Sequence, residues 1–155
     1  MTVIFCGHGD FFGAEEVKLW LRETVEGLIH KGADDFLLGG YGGFDVCAAS
    51  VVWELKKQYP ENTSTLVLPY LDRKVDATKY DSTTYPPLEK VPKRYAISKR
   101  NEWMVNEANT VVAYVTHDWG GAATTLAYAK RKKKEIINYG KIRTEQEVHL
   151  WRPPA

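Results

Sequence analysis

The chain has 155 residues, 44% of them hydrophobic and 26% charged, the size and make-up of one ordinary globular domain. Lys and Arg number 21 against 20 Asp and Glu, a net charge of +1, which offers no field for holding nucleic acid or an anionic membrane surface. Apolar runs such as Thr110–Val115 are far short of a bilayer span, and Met1–Phe5 has neither the basic start nor the cleavage site of a secretory leader. A cytoplasmic location is expected. Cys6 and Cys47 are expected to be free thiols. No His/Cys/Asp cluster has zinc-ligand spacing, so neither a metal nor a cofactor is expected.

Strand and helix periods alternate along the chain. Thr2–Cys6 predicts a short core strand that ends in Gly7. Ala14–Lys31 predicts a helix, with Val17, Trp20, Leu21, Val25, Leu28 and Ile29 on one face and Gly32 as its stop. Asp35–Leu38 reads as the second strand and runs straight into Gly39-Gly40-Tyr41-Gly42-Gly43. A helix from about Phe44 to Tyr59, stopped by Pro60, is expected to bury Val46, Ala49, Val52 and Trp53. Ser64–Leu68 is the third strand. Residues 70–93, with Pro86-Pro87, Pro92 and many polar residues, read as an irregular excursion that is either a lid or a plain loop. Tyr95–Glu107 is helical in pattern, with Ile97, Trp103, Met104 and Val105 apolar. Thr110–Val115 is the fourth strand, with Thr116-His117-Asp118-Trp119-Gly120-Gly121 as its exit loop. Ala122–Lys132 is a small-residue helix and Glu135–Asn138 the fifth strand. The tail at about 140–155, with Trp151, is expected on the surface or against a neighbouring subunit.

Strands joined by crossover helices force parallel pairing with right-handed connections. The expectation is one Rossmann-like α/β domain over 1–155, a doubly wound three-layer sandwich whose mainly parallel sheet has about five strands. Ligands in such folds sit beyond the carboxyl ends of the strands, where strand order reverses. The loops after the first and fourth strands should meet there. Glycine turns at Gly7–Gly13, Gly39–Gly43 and Gly120-Gly121 let backbone N–H groups approach an anion, and helix N-termini add a favourable dipole. None is a GxGxxG fingerprint or a Walker A loop, which disfavours a dehydrogenase or an NTPase.

His8 and His117 end different strands and are placed to face each other across the reversal. Acid–base, hydrogen-bonding and ordinary loop roles all suit them, with binding favoured over catalysis. Asp45 opens a helix, so capping, dipole stabilisation and ribose contact all fit. Asp10 and Asp118 with the histidines make only a weak metal set. Trp119, Phe11 or Phe12, and Tyr41 are placed to stack on a base or to pack in the core. Cys6 reads as a small buried residue. The run Lys130–Lys134 opposes the dipole at a helix end and reads as solvated, making nucleic acid an unfavoured partner.

Gly39-Gly40-Tyr41-Gly42-Gly43-Phe44-Asp45 resembles the GGAxGxD segment of the SLOG superfamily, and Arg100–Val105 its Arg-x-x-x-Met helix. Ala108–Tyr114 with Gly120–Thr125 resembles its final strand and GGxGT turn. The likeness covers roughly residues 2–138 and is greatest to YpsA/YoqJ-like bacterial and phage proteins. LOG phosphoribohydrolases and the DNA processing protein A domain are more distant. It implies a Rossmann-like fold that binds nucleotides or nucleotide-derived signals, often as a homodimer, and it gives Arg100 a ligand role in place of a solvated one. The hydrolytic LOG enzymes end this motif in a catalytic Glu, and Ala127 stands at that position here.

The expected ligand-binding residues are therefore Gly7, His8, Gly39, Gly40, Gly42, Gly43, Asp45, Arg100, His117, Asp118, Trp119, Gly120, Gly121 and Thr124, and no catalytic residue is assigned. The leading expectation is a sensor or sequestering protein for a nucleotide-type small molecule, ADP-ribose-like or a cyclic nucleotide, without turnover. The alternatives are an N-glycosidic hydrolase or transferase using Asp45, Asp118 or a histidine, and a DNA-associated or scaffold protein.

Overall fold

A computed structural model describes residues 1–9 and 14–140. Asp10, Phe11, Phe12 and the tail with Trp151 lie outside the described residues. Six strands, β1 (Thr2–Gly7), β2 (Asp35–Leu38), β3 (Thr63–Val67), β4 (Ser82–Thr84), β5 (Thr110–Tyr114) and β6 (Glu135–Asn138), form one sheet in the order β4-β3-β2-β1-β5-β6. Every pairing is parallel. Four α-helices connect them, α1 (Ala14–His30), α2 (Gly43–Leu55), α3 (Ala96–Glu107) and α4 (Gly121–Arg131), with a 3-10 turn at Lys93–Tyr95. No helix among the described residues is long and apolar enough to cross a membrane.

The layering follows from strand alternation, which sends successive side chains to opposite faces. Val3, Phe5, Phe36 and Leu38 pack with Val17, Leu21 and Val25 of α1 and with Phe44, Ala48 and Val51 of α2. Ile4, Leu37, Val111 and Ala113 pack on the other face, with Met104 and Val105 of α3 and Leu126 and Ala129 of α4. The result is the expected doubly wound, three-layer Rossmann-like sandwich.

Two expectations change. The sheet has six strands rather than about five, because β4 lies inside the 70–93 excursion and pairs with β3 at the edge. Ser82-Thr83-Thr84 is short and largely exposed, so it carries no apolar alternation to betray it. Asp81 pins its start, accepting from the Ser64 N–H at 2.8 Å and pairing with Lys56. In α2, Val46 and Trp53 are exposed (56% and 37%) rather than buried. They sit seven residues apart on one outward face, while Phe44, Ala48, Val51, Val52 and Leu55 face inward. An apolar residue on nearly every side of the helix leaves the pattern without a unique phase.

The chain builds outward from β1 to β4, then crosses to lay β5 on the other side of β1. The loops after β1 and β5 are thus neighbours, with Gly7 level with Tyr114. Burial predicts a sharp contrast within α1. Leu21→Ala, at 0% exposure, should cost about 2–5 kcal/mol in urea unfolding, while Leu19→Ala, at 61%, should stay within about 0.5 kcal/mol of wild type.

Candidate functional site

The loops after β1 and β2 are sealed backbone to backbone. Gly43 N–H donates to the Gly9 carbonyl at 3.0 Å, and a Cβ on Gly42 would lie 2.7 Å from the Gly9 Cα. Gly42 also holds φ at 89°, a region that side chains disfavour. A Cβ on Gly7 would meet the buried Phe44 ring at 2.3 Å. Gly120 starts α4 in nearly the Gly42 conformation, φ 91°, and neither start is capped by a side chain.

Where these turns converge lies a hollow of about 200 Å³. Gly7 and Gly9, Tyr41, Gly42 and Asp45, Ile97, Arg100 and Asn101, and Gly121, Ala122 and Thr125 line it, over a floor of Phe5 and Cys6. A second hollow of about 490 Å³ lies beside the Gly39–Gly43 turn, walled by β3, by α2 and by the chain from Leu68 to Tyr80. Tyr41 borders both.

Two buried ionisable side chains, Arg100 and Asp45, line the smaller hollow. Arg100 is 2% exposed. Its Nη1 donates to the Gly39 and Val67 carbonyls at 3.0 and 2.8 Å, and its Nε to Asn101 Oδ1 at 2.8 Å. Asp45 Oδ2 accepts from the Tyr41 N–H at 3.2 Å. Asp45 Oδ1 is buried without a hydrogen-bond partner among the described residues. A Cβ on Gly39 would lie 3.1 Å from Arg100 Cζ and 3.2 Å from Asp45 Oδ2.

Burial pushes the Asp45 carboxyl up to about 7, against the opposing pulls of the Tyr41 N–H and the Arg100 charge. Burial, helped by the Asp45 charge, pushes the Cys6 thiol up to about 12, so Cys6 is no nucleophile at neutral pH. Its Sγ donates to the Ala122 carbonyl at 3.1 Å. Burial also lowers the Arg100 guanidinium, a tendency Asp45 opposes, and Arg remains charged.

The histidines meet, but elsewhere. The His8 and His117 rings stack at 3.8 Å and 12°, and Trp119 stacks on His117 at 3.6 Å and 18°. His8 Nε2 accepts from the Thr116 N–H at 3.0 Å, which places the ring proton on Nδ1. The same residue donates its backbone N–H to the Tyr114 carbonyl, so His8 clips the exit of β1 to that of β5.

The structure thus brings Gly7, Gly42, Asp45, Arg100 and Gly121 around the smaller hollow, and Gly39 and Gly40 around the larger. Gly43 and Gly120 shape the turns without lining either one. His117 and Asp118 border a different surface hollow together with Ala127, and the exposed Trp119 remains in the ring stack. Thr124 points outward and returns its hydroxyl to the Gly120 carbonyl at 3.0 Å. Its neighbour Thr125 takes the inward position. Thr125, Asn101, Tyr70 and Tyr80 were not singled out from the sequence. Helical rotation past the Gly120-Gly121 turn was the available signal for Thr125. No group of three or more His, Cys, Asp or Glu among the described residues is placed to hold a metal.

Two outcomes follow from the pair. Folding raises the proton affinity of Asp45, so the native state holds more protons than the unfolded chain between about pH 4 and the folded value near 7. Wild-type stability should fall as pH rises through that window, and Asp45→Asn should flatten the fall in thermal unfolding. Arg100→Met strips the donor from the Gly39 and Val67 carbonyls and removes the cation nearest Asp45, and should cost at least about 1–3 kcal/mol near pH 8. Adding Asp45→Asn to that variant should restore part of the loss.

A family model described as the YspA SLOG family matches residues 12–144. A UPF0398 protein of Bacillus thuringiensis (strain Al Hakam) is 25% identical over 145 residues, covering 84% of this chain and 77% of the relative. Among solved structures, the molybdenum cofactor carrier protein of Chlamydomonas reinhardtii superposes with a TM-score of 0.58 at 19% identity, over 99% of this chain and 89% of that one. DNA processing protein A of Helicobacter pylori, described for its single-stranded DNA binding mode, gives 0.63 at 14% identity, over 97% and 74%. At such identities the likeness to both structures is one of fold.

Proposed function

The chain belongs to the YspA SLOG family, and we propose that it binds a nucleotide or nucleotide-derived small molecule at the switch-point hollow, as a sensor or sequestering protein without turnover. The observation that carries this reading is the convergence of three glycine turns and two uncapped helix starts on one hollow. Phosphate oxygens suit the N–H groups at the start of α4, where Gly121 and Ala122 line the hollow. The unpartnered Asp45 oxygen suits a sugar hydroxyl. Arg100 supports the site from beneath, since its bonds to Gly39 and Val67 fix the turn on which the ligand rests.

Absence of turnover rests on Ala127, which stands where the LOG phosphoribohydrolases carry glutamate and which lies outside this hollow. DNA is not the proposed ligand. The basic run Lys130–Lys134 begins at the far end of α4, about 14 Å along the axis from its start at Gly121. An ADP-ribose-like ligand, a homodimer and a cytoplasmic setting complete the proposal.

One observation favours a second reading, N-glycosidic hydrolysis. A carboxyl held near 7 inside a hollow has the proton affinity of a general acid or base. A thermal-shift screen against AMP, NAD, ADP-ribose and cyclic ADP-ribose, with mass analysis of each mixture, separates the readings. A stabilised protein with intact ligand is expected. Consumption abolished by Asp45→Asn would replace binding with hydrolysis, and no shift from any compound would sink both.

A further inference from the structure

We propose that the larger hollow is a second compartment of the same site and takes the flat aromatic base of the ligand. The inference rests on the nucleotide reading above and adds which part of the chain chooses the base. The hollow, at about 490 Å³, is more than twice the volume of its 200 Å³ neighbour, and a sugar phosphate resting on the glycine turns has no use for it. Its aliphatic lining comes from Val46, Leu66, Leu68 and Pro69. Three phenol rings, Tyr41, Tyr70 and Tyr80, line it as well, a make-up that suits a planar heterocycle. Tyr41 is 62% exposed, so its ring is accessible to a ligand. It stands at the border with the smaller hollow, so a ligand seated on the turns reaches the larger hollow past this side chain.

Charge narrows the occupant. Arg73, Lys74 and Lys79 line the hollow against the single carboxylate Asp76. That carboxylate is already engaged by the N–H and hydroxyl of Thr78, at 3.1 and 2.7 Å. The Arg73 guanidinium lies over the Tyr70 ring, 4.5 Å from its centre, so this ring carries a cation and leaves Tyr41 and Tyr80 to meet the base. A positive rim around an apolar, aromatic interior fits the polar-edged base of an anionic ligand rather than a lipid tail.

Calorimetric titration of the intact protein with ribose 5-phosphate and with AMP, GMP, CMP and UMP tests the assignment. At least one nucleotide should bind about tenfold tighter than ribose 5-phosphate, the equivalent of roughly one stacked ring. Val46→Trp and Val75→Trp fill the hollow from opposite walls at exposed positions (56% and 49%). Each should remove that advantage and leave ribose 5-phosphate binding unchanged. Equal affinity of wild type for ribose 5-phosphate and all four nucleotides would overturn the second compartment while leaving the nucleotide reading intact. Nucleotide affinity untouched by both tryptophans would do the same. Failure of all five compounds to bind, together with no thermal shift from NAD or ADP-ribose, would overturn the nucleotide reading and this inference with it.

Discussion

Everything at the open edge of this sheet depends on one buried guanidinium. Arg100 comes from α3, on one face of the sheet, and bonds the carbonyls at the ends of β2 and β3. Those carbonyls have run out of ladder partners, and a buried carbonyl left unpaired is costly. Arg100 thereby ties α3 to the ends of β2 and β3, while Asp45, from the helix on the opposite face, lies near enough to feel its charge without bonding it. Gly39 passes between the two charged groups because no side chain fits there.

The same pair gives the hollow its chemistry. Complete pairing would have left it inert. Instead one carboxyl oxygen stays buried without a hydrogen-bond partner among the described residues, and burial outweighs the attraction of Arg100, holding the carboxyl well above the usual carboxylate range.

The fold was legible because its causes are periodic. Val3 to Cys6 and Val111 to Ala113 read as continuous apolar runs, as strands covered on both faces must, and glycines marked the turns. The site was legible only to the depth of the backbone. Gly7 and Gly42 could be placed because glycine is needed where chains approach closely, and Gly121 because it opens a helix at the strand ends. The ring stack of His8, His117 and Trp119 was foreseeable as a meeting across the reversal, but which side of the β5 exit it would take was not. Thr125 replaced Thr124 through a rotation of one residue at the start of α4, which no composition encodes. The larger hollow was invisible because its walls come from an aperiodic excursion, fixed by three residues of edge strand and the Asp81 anchor.

That excursion divides the molecule into parts with different freedom to vary. Around the smaller hollow the chain is bounded by glycine backbone, where a single added methyl group meets Gly9 or Phe44. Drift there is punished at once. Around the larger one the lining is mostly side chains on a segment that the sheet grips only at its last strand. Tyr70, Arg73, Lys74 and Val75 can be exchanged without disturbing either core. A lineage built on this plan can keep its framework unchanged for as long as it needs to fold, while retuning what it recognises by rewriting about a dozen positions of one loop.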